Sequence, residues 1–420
     1  MIDQIRQKFS SRFIQNLGWL SLSELVIRVV RLATTVILAR FLSEYDYGLA
    51  AIVLTVNEFT QMLTRCGISA KLIQVEEERL ESLANSAYWL SWLIYVGLFL
   101  IQCIAAFAIA AFYRDNQLIF PICATAIIYL IVPIAQIQAT LIQRENRLKI
   151  IAVTNALQIS IGNVLTAVFA FLGFGMWAII LPRVLVAPLW VIINYRYHAW
   201  RPKQWTTDHW GELFRFGRHV LGVELLKTLR NNLDYLIVGR MIGVRELGLY
   251  YFAFNAGLGI SLSFITAINT ALYPHLCAVR SNWQQFRARY FHSLKITAFI
   301  IVPIVLLQSS LAPIYVPIVF SPKWIEAIPI LILICLSAIP RPFAEAASAV
   351  WLAIDKPKID LIGSVIFTIV LAIALFIGTH WQLTGVAISV LATHAIFQPL
   401  FTLLTTRFVM QRSSVKQSFS

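Results

Sequence analysis

The chain has 420 residues, of which 59% are hydrophobic and only 13% charged, and it carries a formal net charge of +14. A soluble chain ordinarily has about twice that share of charged residues, so this composition excludes a soluble globular protein, a disordered chain and a disulfide-stapled secreted domain. No long polar block exists from which to build a large aqueous catalytic domain, and in such an apolar chain excess Lys and Arg mark cytoplasmic loops rather than nucleic-acid binding.

A membrane-spanning helix needs roughly 20 mostly apolar residues, and the polar breaks divide the chain into about twelve such segments. Arg6, Lys8 and Arg12 precede a first span at 14–40, which is too long and too charged for a cleaved signal and lacks a small-residue cleavage site. Spans then follow at 46–64, 83–112, 117–141, 151–172 and 175–195, with turn signals at Ser43-Glu44 and Gly173-Phe174-Gly175. The longest connection is the basic, Trp-rich stretch containing Trp200, Trp205 and Trp210, whose rings and cations suit a headgroup region. After it come spans at 213–239, 247–275, 293–319, 325–352, 359–379 and 382–408, with Asp355-Lys356-Pro357 marking a turn. The expected fold is therefore an all-α polytopic membrane protein with about twelve transmembrane helices in two six-helix lobes. Residues 1–196 form the first lobe, 197–212 a cytoplasmic linker and 213–420 the second lobe.

An even number of spans places both termini on one side, and the basic residues choose that side. With both termini cytoplasmic, the inner segments collect Arg65, Lys71, Arg79, Arg144, Arg147, Lys149, Arg201, Lys203, Arg280, Arg287, Arg289, Lys356 and Lys358 among others. The outer segments keep only Arg40, Arg114, Arg240, Arg245 and Lys323 of the 34 Lys and Arg. Moving the map by one span destroys this asymmetry.

The chain also repeats itself. At an offset of 200 residues Glu24-Leu25 matches Glu224-Leu225, Arg40 matches Arg240 and Gly48-Leu49 matches Gly248-Leu249; further on, Lys149-Ile150 matches Lys358-Ile359 at an offset of 209. Six spans per repeat give both halves the same orientation, related by an axis along the membrane normal.

A charge at the bilayer centre costs roughly 2.5–3.5 kcal/mol on insertion scales, so charges within spans require a partner or a watery cavity. Glu24, Arg28 and Arg31 fall within about 60° of arc on the first span, and Glu224, Lys227, Arg230 and Asp234 within about 120° on the seventh, its repeat equivalent. Three readings stand side by side. Charges pair along one helix, as Glu24 with Arg28 or Lys227 or Arg230 with Asp234. Arg31 and Asp234 lie near span ends and snorkel. Or the two stripes line a cationic cavity suited to phosphate, with Arg183 and Arg341 adding bases and Glu58 and Glu345 adding acids. Arg341 stands between Pro340 and Pro342, where the helix is expected to distort.

No P-loop, GxSxG, HExxH or dinucleotide fingerprint is present in the sequence, so no nucleotide cofactor is expected. Neither the seven His nor Cys66, Cys103, Cys123, Cys277 and Cys335 have metal-ligand spacing, and no metal is expected. The cysteines and His394 read as packing residues of the helices, with a proton shuttle at His394 as the alternative.

The opening block, in which Glu24, Arg28 and Arg31 precede VILARFLSEYDYGLAAIV, resembles the start of bacterial oligosaccharide-lipid flippases of the multidrug/oligosaccharidyl-lipid/polysaccharide exporter superfamily. The matching features are Ala39-Arg40-Phe41-Leu42, the acidic-aromatic loop Glu44 to Tyr47, and Gly48-Leu49. The resemblance implies two six-helix lobes and a substrate of sugars on a polyprenyl diphosphate. It implies transfer from the inner to the outer leaflet of the bacterial plasma membrane for lipopolysaccharide or other surface polysaccharide assembly, driven by an ion gradient or the membrane potential. Arg28, Arg31, Lys227 and Arg230 are the positions onto which diphosphate binding is carried over, with Arg183 and Arg341 as further substrate contacts. Glu24, Glu224, Asp234, Glu58 and Glu345 are the coupling or ion-pairing candidates. Expected partners are the lipid-linked oligosaccharide, membrane lipids, a polysaccharide polymerase and glycosyltransferases, and no nucleic acid. The competing readings are a cation-coupled multidrug exporter, which calls for an acid-dominated cavity, a membrane-embedded glycosyl polymerase or ligase, which calls for a sizeable outer loop, and a structural assembly partner.

Overall fold

The computed structural model describes residues 26–64 and 67–415, with side chains throughout except at 216–220, 223, 259–271 and 412–415. Among the described residues every regular element is helical. Helix α1 occupies 26–41. It is followed by α2 (Glu44–Thr64), α3 (Ile68–Gln74), α4 (Glu77–Tyr113), α5 (Ile119–Ala126), α6 (Ile128–Ile131), α7 (Pro133–Arg144), α8 (Leu148–Phe171) and α9 (Trp177–Tyr197). Then come α10 (Trp210–Met241), α11 (Val244–Cys277), α12 (Trp283–Tyr315), α13 (Ile328–Leu336), α14 (Arg341–Ala353), α15 (Pro357–Gly378) and α16 (Gln382–Val415). Among the described residues six stretches are long and apolar enough to cross a membrane, and a seventh if the pair Asn116–Ile131 and Pro133–Arg144, bent by 57°, forms one span. This is an all-helical, multi-pass membrane protein.

One departure from the sequence reading and one expected distortion have local causes. The expected span 117–141 is broken into α5, α6 and α7, and the break between α6 and α7 falls at Pro133, which lacks the N–H that would continue the helix past Val132. The expected span 325–352 lies within the apolar stretch Pro322–Ala353, and the distortion expected at Arg341 falls between Leu336 and Arg341, where Pro340 and Pro342 each remove a donor. The short helix α3, whose Ile68 and Leu72 are buried, was not anticipated.

The repeat is visible in the backbone. Helix α1 stops at residue 41 and α10 at Met241; α2 opens at Glu44 and α11 at Val244. Farther along, α7 stops at Arg144 and α14 at Ala353, while α8 opens at Leu148 and α15 at Pro357. The turns between carry Asn146 at φ 55° and Asp355 at φ 61°, left-handed positions that Asn and Asp tolerate best among residues with a Cβ. Each half also ties its first helix–helix turn to a later turn. In the first half the Tyr45 hydroxyl donates to Asp115, and in the second Arg245 pairs with Glu326 at 2.9 Å.

The chain divides into two compact units, Met1–Asn232 and Leu233–Ser420. In the first, Ile68, Leu72, Leu83, Leu90, Ile137, Leu141 and Leu213 build an apolar cluster. The connection after α9 is strapped onto it. Trp89 Nε1 donates to the Gln204 carbonyl at 2.8 Å, Trp210 Nε1 to Ser86 O at 3.2 Å and Gln138 Nε2 to Trp200 O at 3.2 Å. The Arg201 guanidinium serves the carbonyls of Tyr195, His198 and Trp200 at 2.9, 2.7 and 2.7 Å and stacks 3.6 Å over the Tyr195 ring. Glu212, in the first turn of α10, pairs with Lys71 at 2.8 Å and Arg79 at 2.9 Å. The Lys71 hydrogen bond, with Arg79 adding to it, holds this carboxyl below its ordinary value. Such a depressed group stabilises the fold above the ordinary carboxylate range, and that contribution is lost as the pH falls through its lowered folded value.

In the second unit, Leu272, Leu276, Phe286, Tyr290, Ala346, Val350 and Val409 form a second cluster. Trp324, fully buried, stacks on Phe252 with ring centres 4.0 Å apart. Helices α15 and α16 approach closely where they are joined, at Gly378, the last residue of α15, and Gly385, in the first turn of α16. A Cβ at Gly385 would lie 2.3 Å from the Gly378 carbonyl oxygen and 2.6 Å from Trp381 Cβ. Small residues at such close approaches let helices pack where lipid supplies no hydrophobic driving force. Gly385→Ala is expected to lower stability by about 1–3 kcal/mol through overpacking. Gly97→Ala, in a helix where a Cβ meets no heavy atom within 4 Å, is expected to be neutral or to gain through helix propensity. Thermal-shift measurements in detergent check the opposite signs.

Candidate functional site

The sequence-predicted charges lie on three kinds of environment. On α1, Arg28 is half-buried and engages a neighbouring group, whereas Arg31 is exposed. Their spacing of three residues puts them on one face. The hydroxyls of Thr34 and Thr35 turn back to the carbonyls of Val30 and Arg31 at 2.9 Å each, so the Arg side chains are left as the polar feature of this stretch. Glu24 lies outside the described residues. On α10, Glu224 and Arg230 are half-buried and each engages a neighbouring group, while Lys227 is exposed. Arg183 is exposed on α9, immediately after the in-helix Pro182.

Each unit also holds a polar cluster. In the first unit, buried Asn232 donates through Nδ2 to Glu58 Oε2 at 2.9 Å and to the Thr228 carbonyl at 3.0 Å, and accepts from Thr55 Oγ1 at 3.5 Å. Next to Glu58 on α2, Asn57 accepts from the Tyr129 hydroxyl at 3.2 Å. A buried amide needs such partners, since an unmade hydrogen bond costs about 1–3 kcal/mol. The cluster holds α10 against α2 and leaves Glu58 otherwise exposed. Sequence reasoning named Glu58 but missed Thr55 and Asn232. The available signal was that Asn232 stands between Arg230 and Asp234 on the charged stretch of α10.

In the second unit, Asp234 is 8% exposed and its carboxylate accepts from the Tyr250 hydroxyl at 2.8 Å and the Tyr235 amide at 3.0 Å. Arg341 stands in the field of Asp234 and of Glu345, one turn farther on α14. Its Nη2 reaches Ser337 Oγ at 3.4 Å, its guanidinium lies 6.0 Å from the Phe254 ring centre, and its buried Nε has no hydrogen-bond partner. The break between α13 and α14 delivers Arg341 to this place, because the chain restarts as a helix at that residue. Asp234 therefore does not end as a snorkelling group; it is a buried carboxylate satisfied by donors from α11 and its own backbone. Glu345 is exposed.

The cavity candidates thus fall into a first-unit set of Arg28, Arg31, Arg183, Glu224, Lys227, Arg230 and Glu58 and a second-unit set of Asp234, Arg341 and Glu345. Among the described residues no group of three or more His, Cys, Asp or Glu is placed to hold a metal ion. His394 is 6% exposed, donates from Nδ1 to the Val390 carbonyl at 2.8 Å, and packs edge-on against Phe367. Of the cysteines, Cys103 and Cys123 are adjacent on α4 and α5, and Cys66 lies outside the described residues.

A family described as "Polysaccharide biosynthesis protein" matches residues 37–329. The chain belongs to this family. Relatives include an "Uncharacterized membrane protein in cps region" of Klebsiella pneumoniae, 25% identical over 390 residues that make up 91% of this chain and 80% of that protein. The "Lipopolysaccharide biosynthesis protein WzxC" of Escherichia coli (strain K12) is 25% identical over 414 residues, covering 97% of this chain and 82% of that one. Among solved structures, "Lipid II flippase MurJ, inward closed conformation" superposes with a TM-score of 0.76 over 92% of this chain and 87% of that one, at 15% identity. This member of the polysaccharide biosynthesis family therefore shares its fold with a membrane transporter, a likeness of architecture rather than of sequence.

Proposed function

We propose that this chain is a flippase that carries polyprenyl-diphosphate-linked oligosaccharide across the bacterial plasma membrane for surface polysaccharide assembly. Twelve spans are arranged as lobes 1–196 and 213–420 joined by 197–212, with both termini cytoplasmic. The observation that carries the reading is the family match over residues 37–329. The charge pattern supports it: equivalent helices α1 and α10 each present bases, and a base in a low-dielectric setting favours phosphate oxygens over neutral or cationic solutes. The lobes alternate access, the diphosphate and sugars cross beside Arg28, Arg31, Lys227 and Arg230, and the lipid tail stays in the bilayer. Arg183 and Arg341 add positive potential, and Glu24, Glu58, Glu224, Asp234 and Glu345 balance it and serve coupling. Glycosyltransferases supply the substrate on the inner face, and a polymerase consumes it on the outer face. The short turns between α4 and α5 and between α15 and α16 offer no room for the catalytic loop of a polymerase or ligase.

Expression in a bacterium deleted for its own oligosaccharide-lipid flippase is the test. Restored surface polysaccharide is the expected result. Unrestored polysaccharide together with restored resistance to cationic drugs would transfer the reading to multidrug export.

A further inference from the structure

Helix α10 belongs to one half of the molecule by repeat and to the other by packing. The junction at Met241 and Val244 mirrors the one at 41 and Glu44, so the repeat makes α10 the opening helix of the second half. Its first part is nevertheless built into the first compact unit, which runs to Asn232. Leu213 is 1% exposed within the apolar cluster of α3, α4 and α7. Glu212 bonds Lys71 and Arg79, and some 30 Å farther along the helix Asn232 bonds Glu58 and Thr55.

We infer that Trp210–Asn232 is a reversible latch, closed in this structure, that must part from α2, α3 and α4 for the transporter to change state. The inference rests on the alternating-access reading above, in which α10 travels with the second lobe. The chemistry of the contacts suits a switch. One end is fastened by ion pairs and by Leu213 in the apolar cluster, the other by the hydrogen bonds of Asn232; the side chains of Lys71, Glu212 and Arg79 are 26%, 33% and 52% exposed, so water replaces the ionic partners at little net cost. States that exchange during turnover differ by only a few kcal/mol, a range within which exposed ionic contacts exchange for water. The tie between Tyr45 and Asp115 is of another kind: it joins elements of one half, which move together on this account.

Two experiments test the latch. In the first, Lys71→Cys with Glu212→Cys is bridged by a short bifunctional methanethiosulfonate, and flipping of a fluorescent polyprenyl-diphosphate oligosaccharide is followed in proteoliposomes. Bridging is expected to slow transport at least tenfold and dithiothreitol to restore it, while the same bridge in Tyr45→Cys with Asp115→Cys leaves transport unchanged. Transport at the unbridged rate with the 71–212 bridge demonstrated by mass spectrometry overturns the latch. If the unbridged protein does not move this probe at all, the proposed substrate falls instead, and the second experiment, which needs no transport, decides the latch. Glu212→Lys places three cations together and is expected to raise the labelling rate of Leu213→Cys by a water-soluble maleimide at least threefold. An unchanged rate overturns the latch.

Discussion

Replacing Arg28, Arg31, Lys227 and Arg230 together by Gln is expected to abolish surface polysaccharide export while the protein accumulates in the membrane at its usual level. Gln keeps much of the length and polarity of these side chains and removes their charge. A hydrogen bond to a charged group contributes about 1.5–3 kcal/mol, so each single substitution is expected to slow export by about tenfold or more, at about 1.4 kcal/mol per decade. The set together falls below detection. Arg31 and Lys227 are exposed on the isolated chain, and substitutions at such positions usually change stability by under about 0.5 kcal/mol. Arg28 and Arg230 are half-buried and engage neighbouring groups, so it is a loss of export at unchanged membrane abundance that reports on substrate rather than on folding. Arg28→Lys discriminates further: it keeps the charge but loses the planar fork that binds two phosphate oxygens at once, and an intermediate rate is expected. Surface polysaccharide measured beside membrane abundance checks both statements. Full export by the quadruple variant would remove these residues from substrate binding.

The second large effect is on stability. Trp324→Ala is expected to cost about 3–5 kcal/mol, the range for deleting a large buried aromatic side chain. Trp324 is fully buried and stacked at an interplanar angle of 20° on Phe252, which itself meets Phe320 edge-on at 5.2 Å. These rings join α11 to the turn between α12 and α13, and two residues along the same turn Glu326 pairs with Arg245. Removing the indole leaves a cavity against a stacked ring and forfeits its van der Waals contacts. Thermal unfolding in detergent, followed through the second unit, reads the loss. Trp324→Phe, which refills part of the space, is expected to recover much of it. A melting temperature for Trp324→Ala equal to that of the unaltered protein would show that the stack carries no stability.

The candidate site was legible in part. Glu58, Asp234 and Arg341 stood out because ionisable groups in long apolar runs are costly wherever they occur, and the prolines at 340 and 342 announced the break that carries Arg341. Thr55, Asn232 and Tyr250 did not stand out. Uncharged polar residues are common in membrane helices, and each becomes notable only through a partner far away in sequence: Asn232 with Glu58, and Tyr250 with Asp234. Trp324 was equally silent, falling just outside the expected span at 325–352 in what read as a loop.

The sequence by itself determined that the chain is a multi-pass helical membrane protein built as two repeats. Run length, breaks and the spacing of charges are local quantities, and a bilayer forces an apolar run of sufficient length into a helix because no water is there to satisfy its backbone. Only the tertiary structure decided that Asp234 is sated by Tyr250 beside Arg341, and that the first part of α10 packs with the half to which it does not belong by repeat. Those outcomes depend on which side chains from distant segments meet, and helical spacing along one segment carries no information about its neighbours.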